Sequence, residues 1–240
     1  MKKSINIFGF NVYIEVFKPN KVKFKKSISN FEKPHKLNFG PGPNWQKPDN
    51  KWLSVDIDPD IGDLIVNFQQ FESLALDSES TEYIYGSHVF EHISIFKSPL
   101  VFKEIFRVLK PGGVFRLILP DAEESIKHYV NKNEKFLLFD RRKKRAEKRF
   151  DQDYTLFECM REDFLSPNGQ INLLNRNTLA HQNAWDDETI QQDLIRAGFA
   201  KENIERSGFK QSKHSAFDFE GTYPSEANQD YRSLYVEAVK

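Results

Sequence analysis

The chain has 240 residues, 39% of them hydrophobic with 22 Phe, enough to bury one sizeable core. Its 35 Lys and Arg balance 35 Asp and Glu, so net charge gives no reason to favour nucleic acid or an anionic membrane as partner. The single cysteine, Cys159, excludes an internal disulfide and a thiolate cluster for metal, which fits a reducing, cytoplasmic setting.

The opening segment MKKSINIFGFNVYIEVF places two lysines before an apolar stretch. Asn6, Asn11 and Glu15 interrupt it and no small-residue cleavage site follows, so an export signal is not expected. Alternation at Phe8, Phe10, Val12, Ile14 and Val16 predicts a half-buried strand in a hairpin turning near Gly9, an N-terminal extension over residues 1–30. After a lysine-rich link at 18–26, HKLNF, WLSVDI and DLIVNF read as three short buried strands, and TEYIYGSHV as a fourth that runs into FEHI.

Ser98, as N-cap, and Pro99 open a helix whose core face is Leu100, Phe102, Ile105, Phe106 and Leu109. KPGG ends it at Lys110 and leads into VFRLILPD, a fifth strand bounded by Pro120. A helical insertion over about residues 122–180 includes the basic run RRKKRAEKR and is expected to pack little. In DDETIQQDLIRAGF, Asp186 or Asp187 caps a helix with apolar positions Ile190, Leu194 and Ile195, stopped by Gly198. ENIERSGF and RSLYVEAVK suit a closing antiparallel pair. This order predicts an α/β fold with a doubly wound, mostly parallel sheet and an antiparallel last strand. No run approaches the roughly 18 apolar residues of a membrane span.

Ligands of open α/β sheets sit beyond the carboxyl ends of the strands, where the topology reverses. Gly40-Pro41-Gly42, in NFGPGPNW, follows the first buried strand, and a glycine-flanked turn admits a ligand close to the backbone. Asp56, at the end of the next strand, is placed to accept hydrogen bonds from two ribose hydroxyls. A dinucleotide site wants a third glycine opening a helix, with its acid about 20 residues on. Here the third glycine is missing, Asp56 comes sooner, and PNWQKPDNKW has two prolines and no apolar helical stripe. The site therefore suits a nucleoside without phosphates.

Together LNFGPGPNW, WLSVDIDPD, YGSHVFEHI and EIFRVLKPGGVFRLILPD, over about residues 35–121, resemble class I S-adenosylmethionine-dependent methyltransferases of the type 11 group. SLYVEAVK is similar to the last strand of small methyltransferases often linked to surface polysaccharide assembly. The resemblance implies a Rossmann-like methyltransferase domain over 31–240 with S-adenosylmethionine as cofactor and a small-molecule or saccharide acceptor. It implies that Gly40, Pro41 and Gly42, with Phe39 before them, face the methionine part of the cofactor. Asp56 would hold its ribose and Ile57 flank its adenine. Asn67, followed by Phe68, stands where the family often has an acid accepting from the adenine amino group. Ser87 and His88 would lie near the amino acid moiety or the sulfonium. Pro41 replaces the family's usual cysteine between the glycines and stiffens the turn.

HVFEH also spells the H-x-x-E-H of inverted zinc peptidases, with His88, Glu91 and His92. The motif straddles a strand end and no downstream ligand helix is evident, so no metal is expected there. RRKKRAEKR invites a nucleic-acid reading, but few aromatics interleave it and a solvated helical face is the simpler expectation. SHVF stands where many amino-group nucleic-acid methyltransferases carry N/D-P-P-[YFW], which also disfavours that acceptor. A cofactor-binding scaffold without turnover is the alternative to an active enzyme. A hydroxyl acceptor would profit from a general base, for which His88, Asp121 and His181 are the candidates.

Overall fold

The computed structural model describes residues 31–165 and 180–240, together with strands at 2–7, 10–15 and 23–24. Strands β1 (Lys2–Ile7) and β2 (Phe10–Glu15) pair antiparallel, with Ile7 opposite Phe10, as the expected N-terminal hairpin. Its turn at Gly9 and most of the lysine-rich link lie outside the described residues.

The other strands are β3 (Lys23–Phe24), β4 (His35–Phe39), β5 (Trp52–Asp56), β6 (Leu64–Ile65), β7 (Thr81–Ser87), β8 (Leu109–Pro120), β9 (Ile204–Ser207) and β10 (Ser233–Val239). They form one eight-stranded sheet in the order β3-β6-β5-β4-β7-β8-β10-β9. From β6 to β8 every neighbouring pair is parallel, while β10 runs antiparallel to both β8 and β9 and β3 antiparallel to β6. The chain leaves β4 outward through β5 and β6, then returns to the other side of β4 at β7. The crevice beyond the ends of β4 and β7 is therefore the point where the winding reverses, and Gly40 and His88 follow those two strands directly.

Helices α1 (Ser98–Val108) and α5 (Asp187–Ala197) cover one face of the sheet. Their apolar stripes, Val101, Phe102 and Ile105 on α1 and Ile190 and Leu194 on α5, join Leu37, Leu53, Ile84 and Leu117 in one core. Full burial of each such large side chain contributes about 1.5–3 kcal/mol. Asp186 caps α5 by accepting from Thr189 N–H at 2.8 Å, and Gly198 ends it at φ +123°. Ser98 lies inside α1 rather than capping it, and α1 stops at Val108 because Leu109 is already extended. Among the described residues no α-helix packs on the opposite face. Trp52, Tyr85, Ile118 and Tyr235 are covered there by Phe217 and Phe219 of the segment before β10, with Trp45 set edge-on to Trp52. Between β4 and β5 the chain makes turns and no helix, as its two prolines predict.

The insertion forms α2 (Ala122–Val130), α3 (Leu137–Phe150) and α4 (Leu156–Arg161) around its own small core of Phe136, Leu138, Phe139, Ala146, Tyr154 and Cys159. Burial pushes the Cys159 thiol up to about 11. The basic run departs from the sequence-based expectation of a solvated face that packs little. Arg142 is buried and forks onto Asp163, 3.0 Å from Nη1 and 2.5 Å from Nη2, while Nη1 also donates to the Cys159 carbonyl. Arg145 pairs with Glu162, and Arg141 donates to Gln229 and Tyr231. The carboxylates that hold Arg142 and Arg145 follow α4, so no local pattern in α3 announces them, while Arg141 and Lys144 stay exposed.

Candidate active site

A cavity of about 210 Å³ opens at the switch point. Its walls are the turn from Gly40 to Asn44, the end of β7 at Ser87 and His88, and the loop Tyr223 to Glu226. The turn is glycine-dependent for two separate reasons. Gly40 (φ +56°) and Gly42 (φ +72°) both occupy the left-handed region that L side chains rarely adopt. A Cβ on Gly40 would in addition sit 2.6 Å from Cγ2 of Val89, inside contact distance, whereas one on Gly42 would meet nothing.

Beside this turn Ser87 carries a buried hydroxyl with no hydrogen-bond partner among the described residues. Asn38, buried in β4 on the same face as Gly40, lines the cavity with Tyr223. The Tyr223 hydroxyl is pushed up to about 12, chiefly by burial. On the other side of β4, Asp56 ends β5, its Oδ1 accepting from Asp58 N–H at 2.9 Å, and burial pushes its pKa up. Ile57 follows it, 52% exposed, an apolar surface available to a flat ring. Asn67 caps the short turn Phe68–Gln70 by accepting from Gln69 N–H at 3.0 Å, so its carbonyl is engaged locally. Phe39 is fully buried between Phe68 and Phe90, at 5.6 Å from each ring, and supports the glycine turn from beneath. Gly40, Pro41, Gly42, Ser87 and His88 thus line the cavity, while Asp56, Ile57, Asn67 and Phe68 stand at the neighbouring strand ends. The unpartnered Ser87 hydroxyl, the glycine cradle and the carboxylate of Asp56 suit a nucleoside joined to an amino acid.

Of the three general bases considered from sequence, His88, Asp121 and His181, only His88 lies in the cavity wall. It holds φ +50°, an unusual conformation for a side chain of this size. Its Nε2 lies 3.0 Å from Ser233 Oγ. Nδ1 faces Glu91 Oε1 at 3.5 Å and Glu226 Oε2 at 3.4 Å, with Arg232 Nη2 3.3 Å away and itself paired to Glu226. Burial alone would raise the pKa of Glu91, but the hydrogen bond from His88 and the nearby imidazoles of His88, His92 and His181 outweigh it and hold the carboxyl at about 2. The two carboxylates call for a proton on Nδ1, the Arg232 guanidinium, which can only donate, calls for a lone pair there, and Nε2 is engaged by Ser233, so these contacts by themselves select neither tautomer.

Asp121 is buried and committed elsewhere. It caps α2 by accepting from Glu124 N–H at 3.0 Å and pairs with Arg206 at 3.1 Å, and burial pushes its pKa up. His181 lies outside the cavity wall, its ring 5.0 Å from that of His92, with burial pushing its pKa down. Sequence reasoning missed Asn38, Tyr223 and Glu226. A polar residue inside the apolar run HKLNF, two positions before Gly40, was the available signal for Asn38; nothing local marks the other two.

Residues 55–117 match the family model described as a methyltransferase domain, of the type 11 group. The matched stretch runs from the end of β5 into β8 and contains Asp56, Asn67, Ser87 and His88, while Gly40 to Gly42 precede it. Among solved structures, an S-adenosylmethionine-dependent methyltransferase from Mesorhizobium loti is similar at 14% identity and TM-score 0.46, over 88% of this chain and 92% of that one. Another from Archaeoglobus fulgidus is similar at 11% identity and TM-score 0.44, over 86% of each chain. Phosphoethanolamine N-methyltransferase 2 of Haemonchus contortus, in complex with S-adenosyl-L-methionine, is similar at 13% identity and TM-score 0.39, over 86% of this chain and 48% of that one. No curated protein matches the chain. At such identities and scores the residue assignments rest on this chain's own geometry.

Proposed function

We propose that this chain, an S-adenosylmethionine-dependent methyltransferase whose type 11 domain spans residues 55–117, methylates a hydroxyl of a small molecule or saccharide held beside His88. The observation that carries the reading is the placement of His88: left-handed at the end of β7, in the wall of the cavity, backed by the ionised and buried Glu91. When bound, the cofactor supplies a methyl group on a sulfonium, already a good leaving group. The protein's task is then to align the acceptor oxygen with that methyl and to take its proton. His88 would take the proton of the acceptor hydroxyl as its oxygen attacks. Glu91 holds the ring through Nδ1 and stabilises the imidazolium. Asp56 would hold the ribose, Ile57 would pack against the adenine, and the Gly40–Gly42 turn with Ser87 would hold the amino acid end.

A nucleic-acid acceptor is disfavoured because few aromatics interleave the basic run of α3, and two of its cations, Arg142 and Arg145, are held by Asp163 and Glu162. A cytoplasmic setting fits the lone buried thiol of Cys159. Among the described residues no helix is long and apolar enough to cross a membrane.

Transfer of labelled methyl from S-adenosylmethionine to a panel of saccharides, nucleotide-sugars, small alcohols and RNA tests the acceptor class. Label on a hydroxyl compound is expected; label on RNA alone would refute the reading. In the same assay Asp56→Ala is expected to weaken cofactor binding by about 1.5–3 kcal/mol, the loss of charge-assisted hydrogen bonds to the ribose. Unchanged affinity in a folded Asp56→Ala protein would remove Asp56 from the site.

A further inference from the structure

Behind the cavity wall, the fold brings the H-x-x-E-H segment together with a histidine far along the chain. We propose that Glu91, His92 and His181 form a binding site for one divalent first-row transition cation. One donor atom from each of the three lies within 4.8 Å of the others, so an ion at the usual distance of about 2.0–2.2 Å from nitrogen and oxygen donors needs only a small inward adjustment.

The two imidazoles are already set for it. His92 Nδ1 lies 3.2 Å from the Ala180 carbonyl, and His181 Nδ1 lies 2.7 Å from the Asp163 carbonyl. A carbonyl can only accept, so each Nδ1 carries its proton and each Nε2 presents its lone pair. Ligating histidines are held in this way, with the second ring nitrogen donating to a carbonyl or carboxylate behind it. The supports are themselves fixed. Asp163 is gripped by the fork of Arg142, and the backbone N–H groups of Gln182 and Asn183 donate to the Glu91 carbonyl at 2.7 and 3.1 Å.

The third donor points the same way independently. Glu91 is 2% exposed, and its Oε2 has no hydrogen-bond partner among the described residues. A buried carboxylate oxygen with nothing to accept from is costly, and a bound cation removes that cost. Its Oε1 meanwhile faces His88 Nδ1 at 3.5 Å and His92 Nε2 at 3.9 Å. His88 belongs to a second group of donors, with Glu91 and Glu226, that shares this carboxylate. Glu91, His92 and His181 are not the trio of the zinc-peptidase motif, and the downstream ligand that the sequence seemed to lack is His181.

Two imidazoles and a carboxylate suit zinc, cobalt, nickel, iron or manganese better than calcium or cuprous copper. Three protein donors leave coordination positions for water. Whether an acceptor oxygen takes one of them rests on the hydroxyl-acceptor reading above; the cation site itself does not.

Titration of Co²⁺ into chelator-treated full-length protein, without cofactor or acceptor, tests the site apart from the reaction. Visible absorption of protein-bound Co²⁺ saturating at one equivalent, with micromolar affinity and a rise in thermal midpoint, is the expected result. His92→Gln and His181→Gln should each weaken binding by about tenfold or more, with retained binding of S-adenosylhomocysteine verifying that each variant is folded. Absence of bound Co²⁺ in the wild-type protein up to about 1 mM would overturn the proposal without need of any variant. So would binding that survives unchanged in both Gln variants.

Discussion

Replacing Arg116 by Met is expected to cost about 3–5 kcal/mol of folding free energy, because it strips the cation from two carboxylates that stay buried. Arg116 stands in β8 with no exposed side-chain surface. It donates to Glu220 from Nε at 3.1 Å and from Nη2 at 2.7 Å, to Glu237 of β10 at 2.6 Å, and to Ser207 Oγ of β9 at 3.1 Å. Glu220 also accepts from Lys210 N–H at 2.7 Å and from the Tyr85 hydroxyl at 3.2 Å, so the pair ties the segment that carries Phe217 and Phe219 to the cavity wall. Urea unfolding should show a lower midpoint with an unchanged slope. Adding Glu220→Gln and Glu237→Gln to the variant should recover part of the loss, since neutral amides tolerate burial better than unpaired carboxylates. A loss under about 1 kcal/mol would mean that the carboxylates find other partners.

His88→Asn is expected to lower kcat by about 10²–10⁴-fold while KM and cofactor affinity change by little, the signature of a group that acts on the proton in the transition state. Asn is the informative replacement because it tolerates the left-handed backbone that His88 adopts, so the turn at the end of β7 is kept. The measurement is steady-state turnover with the best acceptor from the methyl-transfer panel, alongside a binding titration of the cofactor product. A kcat within about threefold of wild type would assign His88 to shaping the cavity and not to moving the proton.

Much of the frame was legible because its signals are local. Short apolar runs gave β4 to β8, Pro99 placed α1 within a residue of its start, and the aspartates before Thr189 and the glycine at 198 bracketed α5. The paired glycines at 40 and 42 were readable for the same reason: a left-handed backbone demands them whatever surrounds it. What escaped depends on partners distant in sequence. The burial of Arg142 needs Asp163 and Glu162, the cover of the second sheet face needs Phe217 and Phe219, and His181 gains its neighbours only when the segment before α5 folds onto His92. Asp121, a candidate general base from sequence, is claimed by the N–H of Glu124 and by Arg206. Pattern carries the strand ends that a ligand meets, but it does not carry which side chains from the last loop close over it.

Titration of S-adenosylhomocysteine into the wild-type protein and into Gly40→Ala tests the central claim most directly, namely that the turn at the switch point is where the cofactor lies. A methyl at Gly40 strains the left-handed backbone by about 1–2 kcal/mol and collides with Val89, so it deforms the turn while leaving the sheet core intact. The account predicts one equivalent bound with micromolar affinity by the wild type and affinity at least about tenfold weaker in a folded Gly40→Ala protein. Equal affinity in the two proteins, or no binding by the wild type at millimolar ligand, would contradict it.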